Sequence, residues 1–274
     1  MQKIKLSVCI PVYNCAAYIK EAIDSVLASS IMEMELIVID NCSTDGTVEI
    51  VKQYVDPRLK LIQNESNIGM LGNWNKALDV VQGEFVKLLP ADDFIYPGCL
   101  ELQMSILEND KHKKIALVCG RKMVIDDNGK KLFKRGFSKS DIQISGNEAI
   151  NRTIRSGGNI IGEPGAVMFR KEIIEKSGRF DADIFYLLDL NMWFKMLLHG
   201  DLYAIGKVIC AFRVSTVSES IKLINTQKRD VDRFINRSYN DKRYGVSSYS
   251  HRCGLINSFI LSQAKKLVYK FVIR

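Results

Sequence analysis

Proline, histidine and paired cysteines are scarce in this chain of 274 residues, which has 5 prolines, 3 histidines and 7 cysteines. The cysteines form an odd set without any C-x-x-C spacing, so the sequence argues against a disulfide framework and a zinc site. No window of about 18 uninterrupted apolar residues occurs, so we expect no membrane-spanning helix. The N-terminal apolar run ends at Pro11 and is too short for a signal peptide. We therefore expect a soluble protein of the reducing, cytosolic side.

The composition is that of an ordinary globular protein. Hydrophobic residues make up 47% and charged residues 26% of the chain, which excludes collagen-like, low-complexity and globally disordered classes. A formal net charge of +8 raises nucleic acid, acidic substrates or a membrane surface as partners. The excess lies in residues 221–274, where twelve Lys and Arg stand against three Asp, whereas residues 1–220 carry a net charge of −1. The positive net charge of the protein is therefore a property of the C-terminal segment.

Short apolar strands alternate with amphipathic helices along the first 110 residues. We predict strands at Leu6–Val12, 36–39, Leu59–Gln63 and 85–89, and helices at 16–28, 47–54, 71–81 and 97–108. This alternation is typical of a doubly wound α/β fold, in which a mostly parallel sheet has helices on both faces. In such sheets ligands bind beyond the carboxyl ends of the strands, which directs attention to residues 11–14, 40–46 and 90–93.

The pattern is less regular beyond residue 110. We predict a strand at 115–118, a hairpin turn at 126–129 between strands at 123–125 and 132–133, an apolar run at 166–169 that follows a glycine-rich stretch, and a helix at 190–198. No linker divides residues 1–220 convincingly.

Two adjacent carboxylates, Asp92 and Asp93, follow the apolar strand FVKLL on the predicted ligand side. Their charges repel each other, and a divalent cation such as Mg²⁺ or Mn²⁺ would relieve that repulsion while bridging substrate phosphates. The alternative is a solvated turn in which one Asp caps the following helix. Asp40 also ends a buried strand, so it would lie near the same crevice. Its position favours the interpretation as a ligand site over the solvated turn.

Several successive motifs carry a family resemblance: SVCIPVYN (7–14), ELIVIDNCSTDGT (35–47), NIGMLGNWNKAL (67–78) and GEFVKLLPADDFIYPGCLE (83–101). Together with GEPGAVMFRKEIIEKSGRFD, LLDLNMWFKMLLHG and CAFRVSTVSES, they resemble the inverting family-two glycosyltransferases, which have the GT-A nucleotide-diphospho-sugar transferase fold. The resemblance spans residues 4–220. No P-loop or G-x-G-x-x-G motif follows the first strand, which argues against an NTPase or a dinucleotide enzyme.

The resemblance implies roles for residues of the predicted ligand edge. Pro11, Tyr13 and Asn14 would lie in the first nucleotide-binding loop, and Asp40 would contact the nucleotide base. Asp92 and Asp93 match the D-x-D-type pair: both would bind the metal, with Asp92 also near the ribose. The resemblance thus implies a divalent cation, Mn²⁺ or Mg²⁺, and a nucleotide-sugar donor, for which we expect a UDP-sugar.

The resemblance also implies a catalytic base and a diphosphate-binding arginine. Asp189 matches the base, although Leu188 replaces the acidic or glycine residue that usually precedes it. Arg213 matches a basic residue of the closing segment, without the usual nearby histidine. At the second strand the family often has Asp-Asp, whereas here Asn41 follows Asp40. An asparagine can still donate and accept hydrogen bonds there.

We predict a catalytic domain at residues 1–220 and a basic helical tail at 221–274. Within the catalytic domain, residues 1–110 would bind the nucleotide and residues 111–220 the acceptor. In residues 255–274 apolar side chains alternate with lysines, which is typical of a helix that lies on an anionic bilayer. The alternative is a helix packed on the body with a solvated basic face. We expect a cytoplasmic protein, peripheral on the inner face of the cell membrane.

The resemblance predicts a metal-dependent inverting glycosyltransferase that moves a sugar to a saccharide or lipid-linked saccharide acceptor in surface polysaccharide biosynthesis. A catalytically silent saccharide- or nucleotide-binding module on the same fold is the alternative, with Leu188 and Asn41 as signs of decay. A nucleic-acid-binding protein is suggested by the pI of about 9.0 alone. The tail carries no zinc-finger, RRM or helix-turn-helix signature, so we expect no nucleic acid partner.

Overall fold

A computed structural model describes residues 3–214 and 226–272 of the chain. Its strands are β1 (Leu6–Val12), β2 (Met34–Asp40), β3 (Leu59–Gln63), β4 (Phe85–Leu88), β5 (Phe94–Ile95), β6 (Ile115–Ile125), β7 (Lys131–Arg135), β8 (Ile142–Ile144), β9 (Val167–Arg170) and β10 (Asp201–Arg213). Its helices are α1 (Ile19–Leu27), α2 (Thr47–Val51), α3 (Gly69–Val80), α4 (Cys99–Asn109), α5 (Gly146–Ser156), α6 (Lys171–Ser177), α7 (Leu188–Leu197), α8 (Gln227–Asn240) and α9 (Ser248–Val272).

The described strands form one sheet in the order β3-β2-β1-β4-β9-β6-β10-β5, with β7 added beside β6 and β8 beside β10. Six of these strands, β3, β2, β1, β4, β6 and β10, run in one direction, and β9 runs against them between β4 and β6. The predicted mostly parallel α/β sheet is confirmed. The strands predicted at 115–118 and 123–125 are one continuous strand, β6, and the predicted hairpin turn follows it and leads into β7.

Helices cover both faces of the sheet. Successive side chains of a strand point to opposite faces, so each buried strand contributes to two apolar clusters. Ile37 and Ile39 of β2 belong to one apolar cluster with residues of α3, α5 and α7. Leu36 and Val38 belong to the opposite cluster with residues of α1 and α4. Burying each such side chain contributes roughly 1.5–3 kcal/mol to stability. Because both faces of the strand are buried, its apolar residues 36–39 follow one another without polar residues between them.

A buried lysine makes hydrogen bonds near the middle of the sheet. Lys87 of β4 is fully buried, and its Nζ donates to Gln103 Oε1 at 2.9 Å and to the carbonyl of Gly165 at 2.7 Å. A buried ammonium is tolerated only when acceptors surround it. Lys87 thereby holds the turn before β9 against β4, next to the point where the Asp92–Asp93 pair begins.

The C-terminal helices pack on the body. Phe234 of α8 and Tyr244, which follows it, contact Phe194 of α7, with ring centroids 5.0 and 5.7 Å apart. Helix α9 lies against α5, where Asn257 donates to the carbonyl of Arg155 at 2.7 Å. Gly157, at a φ of +73°, has no room for a side chain, since a Cβ would lie 2.3 Å from Ser258 N. Within the described ranges, none of the helices combines the length and hydropathy needed to cross a bilayer.

Candidate active site

The loops after β1 and β2 are joined by side-chain hydrogen bonds. Asn14 has a left-handed backbone, at a φ of +49°, which asparagine tolerates better than most residues. Its backbone N donates to Ser43 Oγ at 2.9 Å, and its side-chain Oδ1 accepts from Thr44 N at 2.8 Å. Asp45 Oδ2 accepts from Ala16 N at 2.9 Å. The two loops therefore form one surface at the carboxyl edge of the sheet.

Three of the predicted nucleotide-binding residues lie on this surface or directly beneath it. Tyr13 is 49% exposed beyond the end of β1, beside Asn14. Asp40 is buried at the end of β2, and its carboxylate accepts from Ser43 N at 3.1 Å. Pro11 lies inside β1, where β4 no longer pairs with that strand, so its missing N–H costs no ladder bond.

Asn41 belongs to a buried amide network that the sequence reasoning missed. Its Oδ1 accepts from Asn64 Nδ2 at 2.9 Å and from Ile68 N at 3.0 Å, and its Nδ2 donates to Asn67 Oδ1 at 2.8 Å. Asn64 also donates to Asn73. Both ends of the Asn41 amide are thus committed inside the protein, and its difference from the family pattern has a structural role. The four asparagines at positions 41, 64, 67 and 73 were the sequence feature that could have indicated this network.

The Asp92–Asp93 pair follows β4 in a turn closed by the bond from Asp93 N to the carbonyl of Pro90, at 3.1 Å. Asp93 is 2% exposed, and its Oδ1 accepts from Arg213 N at 2.8 Å. Burial raises the pKa of the Asp92 carboxyl. Burial and the neighbouring Asp92 charge raise the pKa of Asp93 well above its usual range. Burial and the repulsion between the two charges therefore disfavour the ionised form of the pair.

Arg213, at the end of β10, fastens three parts of the site together. Its Nε donates to the carbonyl of Asp92 at 2.9 Å, its Nη1 to the carbonyls of the β6–β7 turn, and its Nη2 to Glu21 Oε2 at 2.5 Å. The guanidinium lies 4.4 Å from the Tyr18 ring centroid and is 3% exposed. Four of its five side-chain N–H groups have protein partners, so Arg213 acts first as a structural contact between these parts.

Asp189 lies in the first turn of α7 and is half-buried. Asn159 Nδ2 donates to its Oδ2 at 2.9 Å, and Leu190 N donates to its Oδ1 at 2.6 Å. Burial raises the pKa of Asp189 to about 6. The loop that carries Asn159 is held on α7 by Trp193, whose Nε1 donates to the carbonyl of Gly162 at 2.9 Å. Leu188, beside Asp189, is buried in the core.

Lys122 is the site residue that the sequence reasoning missed most clearly. It lies in β6, is 3% exposed, and forms an ion pair with Glu163. Its charge interacts with both Asp93 and Asp189, so one carboxylate of the pair and the candidate base lie near the same ammonium. Burial and the charge of Arg135 lower the pKa of Lys122 to about 7. A charge inside the apolar strand IALVCGRKMVI was the signal that could have revealed it.

The carboxylate pair fits a hard divalent cation. Among residues 3–214 and 226–272, no cluster of three or more His, Cys, Asp or Glu gathers around one point. Two carboxylates suffice for Mg²⁺ or Mn²⁺, because such ions keep several waters and take substrate phosphate oxygens as further ligands. A cation bound there would favour the ionised form of Asp93, whose pKa burial and the neighbouring Asp92 charge raise.

A mostly parallel α/β sheet with carboxylates gathered beyond its strand ends defines a protein that binds its ligand at that edge. Residues 7–178, more than half of the chain, match the family described as Glycosyl transferase family 2. The chain belongs to this family and is a glycosyltransferase with the GT-A fold, which confirms the resemblance.

Two curated relatives illustrate the range of the family. An uncharacterized protein, MT1568, from Mycobacterium tuberculosis is 28% identical over 235 residues, which cover 83% of this chain and 73% of that protein. The chondroitin synthase of Pasteurella multocida is 27% identical over 249 residues, which cover 90% of this chain but only 24% of the synthase. The synthase therefore has most of its length outside the shared region.

Two solved structures share the fold. Staphylococcus aureus TarS 1–349, in complex with UDP-GlcNAc, matches with a TM-score of 0.67 at 23% identity, over 86% of this chain and 67% of that one. The mannosyltransferase PcManGT from Pyrobaculum calidifontis, in complex with GDP-Man and Mn²⁺, matches with a TM-score of 0.64 at 19% identity, over 96% and 75%. At these identities the likeness concerns the fold alone.

Proposed function

We propose that this glycosyltransferase is inverting and metal-dependent, and that it transfers a sugar from a UDP-sugar to a hydroxyl of a saccharide or lipid-linked saccharide acceptor in surface polysaccharide biosynthesis. The observation that carries the proposal is that Asp189, with its raised pKa, and Asp93 of the carboxylate pair both interact with the charge of Lys122. The UDP-GlcNAc bound by TarS supports a UDP-sugar donor, whereas the GDP-Man bound by PcManGT supports a nucleotide-sugar donor in general. The name of chondroitin synthase supports a saccharide acceptor.

The donor would bind at the joined loops after β1 and β2. Tyr13 is exposed enough to stack on a base, and Asp40 and Asn14 are the polar groups beside it. Asp92 and Asp93 would hold the divalent cation. The cation would stabilise the charge that develops on the departing diphosphate, and this stabilisation of the transition state amounts to several kcal/mol. Arg213 keeps the Asp92–Asp93 turn in place and, in this proposal, contributes positive charge near the diphosphate.

Asp189 would act as the general base. It accepts the proton of the acceptor hydroxyl while that oxygen attacks the anomeric carbon, and the bond from that carbon to the diphosphate oxygen breaks on the opposite face. A pKa of about 6 leaves most of the carboxylate ionised at pH 7 and still basic enough to take the proton. Asn159 orients the carboxylate through its 2.9 Å hydrogen bond.

The primary test measures donor turnover with Mn²⁺, with Mg²⁺ and with EDTA, in the wild type and in Asp93→Asn. We expect EDTA to abolish turnover, added Mn²⁺ to restore it, and Asp93→Asn to lose it by roughly 100-fold or more, because several kcal/mol of transition-state stabilisation disappear. Asp79→Asn is the matched control, since Asp79 lies in an exposed ion pair with Arg179. Full activity without metal would refute the metal role.

We also propose the three-region division at residues 1–110, 111–220 and 221–274, with peripheral contact to the inner membrane face through α9. Among the side chains of α9 that the structure describes, up to residue 265, the large apolar ones that are exposed are Tyr249, Ile256, Phe259 and Ile260. The tail's net charge of +9 complements anionic lipid. We expect Ile256→Ser/Ile260→Ser to reduce partition onto anionic liposomes several-fold without changing turnover. Equal partition of wild type and variant would refute the contact.

A further inference from the structure

Lys122 carries a charge at a position where the stability of the fold does not explain one. It lies in β6 opposite Cys210 of β10, and its side chain is 3% exposed. Its Nζ forms an ion pair with Glu163 and lies 4.9 Å from the centroid of the Phe212 ring. Apolar residues of similar volume often replace a buried ion pair without loss of stability. We therefore looked for a role of this lysine in the site.

The ion pair stands at one end of a series of contacts that leads to the proposed base. Gly162 precedes Glu163, and its carbonyl accepts from Asn159 Nδ2 at 3.2 Å. Gly162 N donates to Asn159 Oδ1 at 2.9 Å, and Asn159 Nδ2 also donates to Asp189 Oδ2 at 2.9 Å. By binding Glu163, Lys122 therefore holds the loop whose asparagine orients Asp189.

Lys122 also acts on Asp189 through its charge. Burial raises the pKa of Asp189 to about 6, and the Lys122 ammonium opposes this rise. The hydrogen bonds from Leu190 N and from Asn159 act in the same direction as the ammonium. Because an opposite charge nearby favours an ionised carboxylate, removing the ammonium should raise the pKa of Asp189 further.

The titratable and charged groups around Lys122 come from several elements. They are Arg135 of β7, Cys210 of β10, Asp189 of α7, Asp93 of the carboxylate pair, and the ion-pair partner Glu163. Burial and the Arg135 charge disfavour the charged form of the lysine, whereas the acidic groups favour it. The charge of Lys122 therefore reaches both a carboxylate of the pair and the proposed base.

We propose that Lys122 is a positioning residue of the catalytic centre. Its ammonium stabilises the negative charge of Asp189, and its ion pair with Glu163 fixes the loop from which Asn159 contacts that carboxylate. Lys122 acts through Asp189 and Glu163 rather than on the substrate. The inference rests on the proposed role of Asp189 as the general base, and it adds the residue that keeps this base ionised.

Three substitutions separate the charge of Lys122 from its contact with Glu163. Lys122→Gln removes the charge and keeps an N–H donor for the carboxylate, Lys122→Met removes both, and Lys122→Arg keeps both. Lys195→Gln is the matched control, because Lys195 is a half-buried lysine of α7 that is ion-paired with Asp181. Urea denaturation shows whether each variant folds. If Lys122→Met does not, Lys122→Gln and Lys122→Arg still test the charge.

The first readout is the pKa of Asp189 in the full chain without substrate. Carbon-13 NMR of the aspartate side-chain carboxyl groups measures it, and Asp189→Asn assigns the signal. We expect the pKa of Asp189 to rise by about 0.5 to 1 in Lys122→Gln and Lys122→Met, and to stay close to the wild-type value in Lys122→Arg. In Lys195→Gln it should change by less than about 0.2. A lysine with a purely structural role would not produce this pattern.

The second readout is kcat/KM for sugar transfer as a function of pH. A base whose pKa rises from about 6 to about 7 is about tenfold less ionised at about pH 5 and almost equally ionised at about pH 8. Lys122→Gln should therefore lose activity mainly at low pH. Lys122→Met should also have a lower plateau, because the loop is no longer held. Lys122→Arg should restore most of the wild-type profile.

An unchanged pKa of Asp189 in Lys122→Gln overturns the proposal, and so does an equal change in Lys195→Gln. A loss of kcat/KM that is the same at every pH also overturns it. Failure of the proposed function has a different signature: the pKa of Asp189 then depends on Lys122, but the wild type transfers no sugar, or Asp189→Asn transfers it normally. In that case the base assignment is wrong, and the electrostatic contact between Lys122 and Asp189 stands.

Discussion

The two sides of the site are held together in different ways. On the N-terminal side, the loops after β1 and β2 are joined by hydrogen bonds between short side chains and nearby backbone, as from Asn14 N to Ser43 Oγ. On the C-terminal side, buried charges make contacts between elements far apart in the chain. Arg213 reaches Glu21, 192 positions away, and Lys122 pairs with Glu163. One side depends on turn chemistry, and the other depends on electrostatics inside the core.

This difference separates the consequences of mutation. Hydrogen bonds within exposed loops contribute about 0.5–1.5 kcal/mol each and are individually dispensable. Buried charges leave an uncompensated partner when one member is removed, so they cost more. We therefore expect substitutions on the C-terminal side to have the larger effects, both on stability and on catalysis.

The largest effect should come from Asp189→Asn. The substitution keeps the shape of the side chain and removes its ability to take a proton, so transfer should fall by about 10²–10⁴-fold. Donor binding should be retained, because Asp189 is not among the residues of the joined β1 and β2 loops. Rates of transfer and thermal shifts with UDP-sugars and Mn²⁺ measure the two properties separately.

Asp183→Asn serves as a comparison, since Asp183 is an exposed carboxylate six positions away that pairs with Arg233 and Arg237. Its transfer rate should remain close to that of the wild type. If Asp189→Asn turned over normally, the base assignment would be wrong. If the wild type bound nucleotide sugars without hydrolysing or transferring them, the silent module would be favoured.

Much of the fold follows from local pattern. The runs LSVCIPV and LKLIQ form β1 and β3 with the predicted bounds. β1 is buried along its whole length, as a continuous apolar run in a parallel strand predicts, whereas β3 is a partly exposed strand at the edge of the sheet. The position of β9 does not follow from pattern. The apolar run at 166–169 is compatible with any strand order, and only its pairing with β4 and β6 inserts it, antiparallel, into the sheet.

The residues of the candidate site also fall into two groups, those that the sequence pattern predicts and those that it does not. The carboxylates Asp40, Asp92 and Asp93 could be predicted because each stands at the end of an apolar strand. Lys122 could not be assigned, since a lysine in a strand has a role only when the partner that neutralises it, Glu163, is known. The Asn159–Asp189 contact likewise depends on how the 157–163 loop folds onto α7.

A smaller effect is expected for Arg213→Met, which tests whether the C-terminal side depends on its buried charge. The carbonyls of Asp92, Asp126 and Asp127 lose their donor, so the free energy of unfolding should fall by about 3 kcal/mol. Arg179→Met removes an exposed arginine and should change it by less than about 0.5 kcal/mol. Urea denaturation gives both values. Equal stability of the two variants would assign Arg213 to ligand binding alone.

The smallest effect is expected for Asn159→Ala, and it concerns pH. Asp189 must be ionised to act as a base, so kcat/KM should rise with pH through about 6 and level off above it. Asn159 donates to the ionised carboxylate and therefore lowers the pKa of Asp189 relative to burial alone. Removing that donor should move the rising limb of the pH profile to higher pH, by up to about one unit, with a modest loss at the plateau. A lower plateau with an unmoved limb would mean that Asn159 only shapes the loop, and that the C-terminal side does not control the protonation of its base through this contact.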